Sequence, residues 1–378
     1  MKTVRHTAVE VLLATIGASL VLCAIAANQT WLDRHFLSSF VIGRAWYVRI
    51  ETGVRLVVVA IGVILAVIAR RRLARILVDS RVQAMQVALA VVLALLAGEA
   101  VLRRVSLRPA EWLLPGEEPR RQPDAVLGWT LVPDRVGHLA IGGRDIDYAV
   151  NRLGYRTRSI DDTVDPARPT VVFIGESIVF GEGLTWDESI PAQTAAMLAV
   201  QTANLGVNGY STDQAYLRLR QELPRFQHPT AVVSIFMPVL FGRNLDDDRP
   251  HLGPGLTWMP AVKRPRLVSL ARLFVPYRSE DRVARGIAVT RDVLLATASL
   301  ARVRGGASLL IVPQLGPEDQ AEAGLRRRVL DDGGLPYLSV PLDDSWTITA
   351  SDRHPDARGA RAIAAAIAAA CAASNGCR

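Results

Sequence analysis

The stretch TVVFIGES at residues 170–177 decides the fold. Its first five residues are apolar or β-branched, a composition typical of a buried strand in a parallel sheet. Gly175 then permits a tight turn, and Ser177 follows where a helix would begin. Ligands of open α/β sheets bind at the carboxyl ends of the strands. The stretch therefore predicts an exposed serine at a ligand site.

The remainder of the chain after residue 170 repeats this pattern, because short β-branched runs alternate with amphipathic stretches. Such alternation predicts an α/β fold with a parallel sheet covered by helices on both faces. We predict strands at 170–174, 202–205, 230–236, 307–312 and 337–342. We predict helices at 190–200, 212–223, 281–303, 318–330 and 357–374. Residues 127–165 fit the alternation poorly and are predicted to form a small β-rich entry region beside the sheet.

The first 104 residues are predicted to be an all-α membrane region of about three helices. The mean hydropathy of the whole chain, +0.22, is too high for one ordinary soluble domain, and long apolar runs in this region account for it. We place the spans at about 8–30, 53–70 and 82–102. Alternatively, the first apolar run is a cleaved signal peptide, which would leave the same topology.

Basic residues predict the orientation of these spans. Five arginines lie in the segment between the second and third apolar runs, which we interpret as a cytoplasmic loop: Arg70, Arg71, Arg72, Arg75 and Arg81. The third span then carries the rest of the chain to the other side. We therefore expect a multi-pass protein of the inner (cytoplasmic) membrane whose C-terminal domain is periplasmic or extracellular, joined by an extended proline-containing linker at 105–126.

Composition also bounds the partners. The net charge is +8, but no basic stripe interleaved with aromatic residues is evident in the C-terminal part, so nucleic acid is not an expected partner. The cysteines and histidines show no zinc spacing, and the acidic run at 246–248 is typical of a solvated turn, so we expect no metal and no cofactor. Cys371 and Cys377 flank an Asn-Gly helix stop, which favours a disulfide in an oxidising compartment.

Two other predicted strand ends carry chemically useful residues. The sequence NLGVNG at 204–209 ends the second strand, and SDRHP at 351–355 precedes the last helix. A serine, a glycine-rich turn and an acid with a histidine are the groups that acyl transfer needs. The histidine takes the proton of the serine, the carboxylate orients the imidazole, and N–H donors stabilise the oxyanion.

With these blocks, residues 127–373 resemble the SGNH hydrolase superfamily, also called GDSL-type esterases. GES at 175–177 matches the family's first block, and Gly209 stands at the glycine position of its second block. The resemblance implies Ser177 as nucleophile, His354 as base and Asp352 as its partner. It also implies an oxyanion hole that includes the backbone N–H groups of Ser177 and Gly209, and a flavodoxin-like three-layer fold.

The chain departs from the family pattern at three places. Glu176 replaces the usual aspartate, a change expected to affect a hydrogen bond rather than the chemistry. Asp352 and His354 are two residues apart rather than three. The third strand runs SIFMPV at 234–239 without the family's Gly-x-Asn-Asp, so the asparagine donor is missing from its place. Asn244 and Asn208 are the candidates to replace it.

Together these features predict a membrane-anchored, extracytoplasmic serine esterase or O-acyltransferase that forms an acyl-serine intermediate. The expected substrate is an ester or glycan of the envelope or an exported polysaccharide, and the expected partners are the membrane and envelope-polysaccharide machinery. Two alternatives stay open: a lipid or small-ester hydrolase, and a catalytically inactive binding or scaffolding module with the same fold.

Overall fold

The computed structural model describes residues 2–37, 44–79, 81–105, 117–349, 352–374 and 377. The chain divides into two compact units. The membrane unit contains Met1–Leu107 and Arg264–Arg278, and the sheet unit contains Arg108–Lys263 and Ser279–Arg378. Residues 264–278 thus group with the apolar helices, although the sequence placed them within a C-terminal domain at 127–378.

Helices and strands follow each other in chain order as listed next. The helices are α1 (Lys2–Ala26), α2 (Gln29–His35), α3 (Arg44–Val63), α4 (Arg70–Asp79), α5 (Arg81–Leu102), α6 (Ser177–Phe180), α7 (Ile190–Leu198), α8 (Thr212–Glu222), α9 (Arg266–Phe274), α10 (Glu280–Val303), α11 (Gln320–Arg326) and α12 (Ala357–Ser374). The strands are β1 (Arg121–Asp124), β2 (Gly128–Leu131), β3 (Arg135–Ile141), β4 (Arg144–Val150), β5 (Arg156–Thr157), β6 (Thr170–Ile174), β7 (Gln201–Asn204), β8 (Pro229–Ile235), β9 (His251–Leu252), β10 (Trp258–Met259), β11 (Ala307–Leu315), β12 (Leu338–Leu342), β13 (Thr347–Thr349) and β14 (Asp352–Pro355).

Three helices in the described part of the membrane unit are long and apolar enough to cross a membrane: Thr3–Ala26, Ala45–Asp79 and Val82–Leu102. The second is longer than the predicted span, because a π-helical stretch, Ile64–Ala69, joins α3 to α4 without a break. The segment interpreted as a cytoplasmic loop is therefore helical from Arg70 to Asp79. Arginine is a good helix former, and its long stem tolerates a helical position beside an apolar run.

Helices α1 and α3 approach each other at two glycines. A Cβ atom on Gly17 would lie 2.5 Å from the carbonyl oxygen of Gly62, and one on Gly62 would lie 2.7 Å from the carbonyl oxygen of Gly17. Small residues at such a crossing allow close backbone packing between apolar helices, which gain no hydrophobic driving force from each other in lipid.

One eight-stranded sheet organises the second unit, in the order β12-β11-β8-β6-β7-β5-β4-β3. The five strands from β12 to β7 are parallel, which confirms the predicted α/β fold. Every residue of β6 is buried, as its continuous apolar run requires for a central parallel strand. Helices α7 and α12 pack together as one layer and α8 and α10 as another, which gives three layers.

The predicted entry region extends the sheet instead of lying beside it. Strands β3, β4 and β5 add to its edge in antiparallel fashion, and β5 joins β7 through the pair Arg156 and Asn204. Strand β1 pairs with β2 in a separate hairpin, so the last part of the predicted linker at 105–126 is a strand. Residues 106–116 of that linker lie outside the described residues.

The C-terminal helix α12 ends beside a disulfide. Cys371 and Cys377 are bonded with an S–S distance of 2.04 Å. The pairing favoured by the sequence is thus present, although the Asn-Gly stop at 375–376 lies outside the described residues.

Candidate active site

Ser177 is the first residue of α6, directly after the turn that ends β6. Its side chain is buried, in contrast to the exposed serine that the sequence predicted. The turn is tight enough that a Cβ atom on Gly175 would lie 2.5 Å from a methyl carbon of Val179. Glu176 caps the helix, because its Oε2 accepts a hydrogen bond from the backbone N–H of Ile178 at 3.2 Å. The close approach of Val179 requires glycine at position 175. The turn presents Ser177 at the carboxyl end of the central strand β6.

The structure brings the predicted serine, histidine and aspartate together. His354 Nε2 lies 2.7 Å from Ser177 Oγ, and His354 Nδ1 lies 2.5 Å from Asp352 Oδ1. The same Asp352 oxygen accepts the backbone N–H of His354 at 3.0 Å. Both residues belong to β14, a short strand paired with β13, rather than to a loop. The two-residue spacing therefore allows the contact, because a carboxylate can bond the backbone and the ring of the second residue after it.

Charge at this site favours a protonated His354. Burial alone would lower the pKa of His354, but the hydrogen bond to Asp352 and the negative charges of Glu182, Asp352 and Glu176 outweigh burial and raise it. Burial would also raise the pKa of Asp352, and the contacts with His354 outweigh burial and lower it. Asp352 is thus a carboxylate that holds the imidazole in one orientation.

Glu176 has a closer relation to the serine than the sequence indicated. Its Oε2 lies 2.6 Å from Ser177 Oγ, and Arg243 Nη1 lies 3.8 Å from the same oxygen. The hydroxyl has one proton, which it can donate to Glu176 Oε2 or, when the imidazole is neutral, to His354 Nε2. The glutamate that replaces the family's aspartate is therefore hydrogen-bonded directly to the hydroxyl of Ser177.

Glu182 is a site residue that the sequence analysis did not identify. Its Oε2 lies 3.5 Å from His354 Nε2 and accepts a hydrogen bond from Asn208 Nδ2 at 2.6 Å. Burial raises the pKa of Glu182, and the charge of His354 opposes that rise. The sequence signal was the acid between two glycines at 181–183, immediately after the serine helix.

A buried arginine holds the loop that carries Glu182. The Arg156 guanidinium donates to the carbonyl oxygens of Phe180 and Gly181 at 2.5 and 2.6 Å and to that of Leu184 at 2.5 Å. It lies against the rings of Tyr148 and Phe180, with distances of 4.8 and 4.7 Å from the guanidinium carbon to the ring centroids. The Tyr148 hydroxyl accepts the backbone N–H of Gly183 at 2.7 Å. The antiparallel strands β4 and β5 thus shape the active-site loop.

The oxyanion-hole candidates divide into two groups. The backbone N–H groups of Ser177 and Gly209 are bonded to no acceptor in the described part of the chain. Asn244 instead donates its amide hydrogens to Thr212 and Thr290, both at 3.0 Å. Its carbonyl oxygen also accepts the backbone N–H of Thr212 at 2.9 Å. Both amide hydrogens of Asn244, a candidate donor to the oxyanion, therefore already bond to other side chains.

Asn208, the second amide considered, donates one of its two amide hydrogens to Glu182. Its Oδ1 is buried without a hydrogen-bond partner among the described residues. The described residues contain no group of three or more histidine, cysteine, aspartate or glutamate side chains that could hold a metal ion.

No protein-family model and no curated protein matches the chain. Among solved structures, it is similar to a lipolytic protein of the G-D-S-L family from Desulfitobacterium hafniense, at 12% identity over 53% of this chain and 98% of that chain, with a TM-score of 0.32. It is also similar to an acetyl xylan esterase from Butyrivibrio proteoclasticus, at 12% identity over 57% of this chain and 67% of that chain, with a TM-score of 0.34. A G-D-S-L family protein from Veillonella parvula gives 12% identity over 52% of this chain and 94% of that chain, with a TM-score of 0.33.

These TM-scores are low, and the sheet of this chain is the better guide to its fold. The parallel strands β12, β11, β8, β6 and β7 and the helix layers on both faces are what the resemblance to SGNH hydrolases implies. The serine after the central strand and the acid–histidine pair before the last helix also have the places that this fold gives them.

Proposed function

We propose that the protein is a membrane-anchored serine esterase or O-acyltransferase that works through an acyl-enzyme on Ser177. The observation that carries the proposal is the chain of contacts from Asp352 through His354 to Ser177 Oγ, at 2.5 and 2.7 Å. Such a chain activates a hydroxyl that is otherwise a weak nucleophile.

Acylation proceeds by attack of Ser177 Oγ on the carbonyl carbon of an ester while His354 Nε2 takes the hydroxyl proton. The negative charge that forms on the carbonyl oxygen is stabilised by the backbone N–H groups of Ser177 and Gly209. When the tetrahedral intermediate collapses, the bond to the leaving alcohol breaks, and the imidazolium of His354 gives its proton to the leaving oxygen. The product of this half is acyl-Ser177 and a free alcohol.

Deacylation reverses the roles with a second hydroxyl compound. His354 takes a proton from water or from a sugar hydroxyl, whose oxygen attacks the acyl carbon, and the proton then returns to Ser177 Oγ. Water as the acceptor yields a carboxylic acid, and a sugar hydroxyl yields a new ester. The same residues serve both reactions, so the acceptor distinguishes an esterase from a transferase.

We assign the substrate to an ester-bearing glycan on the extracytoplasmic side of the membrane. Three helices of suitable length and apolar character support membrane attachment. The arginines of α4 support the predicted orientation, because positive charge concentrates on the cytoplasmic side.

Covalent labelling of the full-length protein in detergent with a fluorophosphonate probe tests the nucleophile. We expect labelling of the parent protein and its loss in Ser177→Ala and His354→Ala. His138→Ala is the matched control, because His138 also contacts an aspartate, Asp147, at 2.5 Å but is exposed on β3. Labelling lost equally in His138→Ala, or kept in Ser177→Ala, would contradict the assignment.

Turnover of p-nitrophenyl acetate with and without an O-deacetylated glycan shows whether water or a sugar hydroxyl accepts the acyl group. If acetate is released and the glycan is not acetylated, the protein is an esterase. If the glycan is acetylated and less acetate is released, the protein is a transferase. A parent protein that neither labels nor turns over the ester would refute both and favour the inactive binding module.

A further inference from the structure

A basic and apolar segment in the membrane unit has no role in the proposed chemistry. Residues 263–278, KRPRLVSLARLFVPYR, contain five basic and no acidic residues, and we call them the basic segment. Within α9, the polar residues Arg266, Ser269 and Arg272 recur every third position, and apolar residues fill the positions between them. This pattern is typical of helices that lie in the plane of a membrane interface.

The first turn of α9 lies against the end of α5. Leu267 donates its backbone N–H to Glu99 Oε2 at 3.0 Å. A Cβ atom on Gly98 would lie 3.6 Å from a methyl carbon of Leu267. Because α5 ends at Leu102, this contact is about one turn from the end of the third apolar helix. The amphipathic helix therefore begins close to the depth where that helix would leave the hydrocarbon core.

The other end of the basic segment is bonded to α2. Arg278 donates its backbone N–H to the carbonyl oxygen of His35 at 2.8 Å, and His35 Nδ1 lies 2.7 Å from the carbonyl oxygen of Arg278. The Tyr277 ring stacks on those of His35 and Trp31, at centroid distances of 5.1 and 6.1 Å. Because α2 follows α1 directly, this contact also lies at the end of an apolar helix.

Both contacts are at the same end of the helices of the membrane unit. Arg55 Nε donates to the carbonyl oxygen of Ala24 at 3.0 Å, which joins the first third of the continuous helix from α3 to α4 to the end of α1. At the other end, His6 Nε2 lies 3.1 Å from Asp79 Oδ1, which joins the start of α1 to the end of α4. The basic segment thus lies at the end opposite to the arginines of α4.

The surface of this end has the composition of a lipid–water boundary. Val268 and Val275 of the basic segment are 43% and 55% exposed, beside basic residues. Trp31, Trp46 and Tyr277 are 39%, 63% and 47% exposed, and such aromatic side chains concentrate at headgroup depth. Water would leave these apolar side chains unburied, whereas the headgroup region accepts both them and the positive charge.

We propose that the basic segment is an interfacial membrane-binding element that lies in the headgroup layer and binds anionic phospholipid headgroups. The chain then passes between the two units at three places, after residues 107, 263 and 278, rather than once at the linker.

Depth-dependent fluorescence quenching of the full-length protein in nanodiscs tests the location. Cys23 is the free cysteine of the described part of the chain, so Cys23→Ser provides the background for one labelled position. Val268→Cys and the control Val136→Cys, whose parent valine on β3 is 41% exposed, carry the same NBD fluorophore. We expect blue-shifted emission and about twofold or stronger quenching by headgroup-spin-labelled lipid at position 268 relative to 136. Equal emission and equal quenching at the two positions would overturn the proposal.

Lipid composition tests the headgroup charge. Quenching at position 268 is compared between nanodiscs of phosphatidylcholine alone and nanodiscs that also contain about 30% phosphatidylglycerol as the anionic lipid. Both measurements are repeated in a double variant that carries Lys263→Gln and Arg272→Gln. We expect stronger quenching with the anionic lipid and loss of that increase in the double variant, because each basic residue near an anionic surface contributes on the order of fivefold in binding. A quenching level that is insensitive to both changes would overturn the claim of anionic-lipid binding. Esterase activity enters neither readout, so the outcome is independent of the proposed catalytic function.

Discussion

Substitution of Arg156 by methionine should destabilise the sheet unit by about 3–5 kcal/mol. The guanidinium is fully buried and donates three hydrogen bonds to backbone carbonyl oxygens of the loop after α6. Each bond from a charged donor is worth about 1.5–3 kcal/mol, and methionine removes all three. The Leu184 carbonyl oxygen then loses its donor, whereas the oxygens of Phe180 and Gly181 keep hydrogen bonds from Asn204 Nδ2 and from the backbone N–H of Leu184. Methionine also removes the cost of burying a charged group, which is several kcal/mol. The net destabilisation is therefore about 3–5 kcal/mol. Burial lowers the pKa of Arg156 to about 10, so the charge is present at neutral pH.

Thermal unfolding of the full-length protein in detergent measures this effect. A loss of 1 kcal/mol lowers the Tm of a domain of this size by about 2–4 °C, so Arg156→Met should lower it by about 6–20 °C. Arg158→Met is the matched control, because Arg158 lies two residues away and pairs with Asp187 at 2.5 Å, with both side chains about two-thirds exposed. Exposed pairs contribute about 0–1 kcal/mol. If the two variants melt within about 2 °C of each other, the reasoning about the buried guanidinium is refuted.

Two further predictions concern the active site directly. Because the pKa of His354 is raised and only the neutral imidazole accepts the serine proton, kcat/KM for p-nitrophenyl acetate should increase with pH through that raised pKa. Glu182→Gln removes a negative charge that raises the pKa of His354, so the rise of kcat/KM with pH should move to lower pH. If the rise stays at the same pH, Glu182 does not act on the imidazole. Gly206→Ala would place a Cβ atom 2.4 Å from the backbone nitrogen of Phe180 in α6, so fluorophosphonate labelling should fall sharply. Gly242→Ala, whose Cβ would meet nothing within 4 Å, should label like the parent, and equal labelling of both alanine variants would contradict the packing argument.

Local sequence patterns were sufficient to predict the parallel part of the sheet. The strand at 170–174 is entirely buried, so its apolar run needed no information from elsewhere in the chain. The antiparallel extension was harder. Gly142 and Gly143, both with positive φ, connect β3 to β4, and a Gly-Gly pair between alternating residues is a hairpin signal that could have predicted the two strands. Their attachment to the sheet depends on one residue pair between β5 and β7, which no local pattern shows.

The same contrast applies to the candidate site. Ser177, Asp352 and His354 each lie in a short motif that the sequence placed at or after a predicted strand end, and the resemblance to SGNH hydrolases implied that they meet. The role of Arg156 depends on a tertiary contact, because it reaches a loop that begins 24 residues later along the chain. A buried arginine is also unusual, and composition alone would place it on the surface. The amide hydrogens of Asn244 are used by Thr212 and Thr290, a contact that only the packed α8 and α10 create.

The glutamate in the GES block gives the serine two states that differ by one proton. When His354 is protonated, Nε2–H donates to Ser177 Oγ and the hydroxyl proton points to Glu176 Oε2, 2.6 Å away. When His354 is neutral, Nε2 becomes an acceptor, and the hydroxyl can donate to it across 2.7 Å and attack. The carboxylates that raise the pKa of His354 therefore extend the pH range of the first, unreactive state. In the proposed mechanism the Glu176 carboxylate, within hydrogen-bond distance of the Ser177 hydroxyl, therefore competes with His354 for the hydroxyl proton.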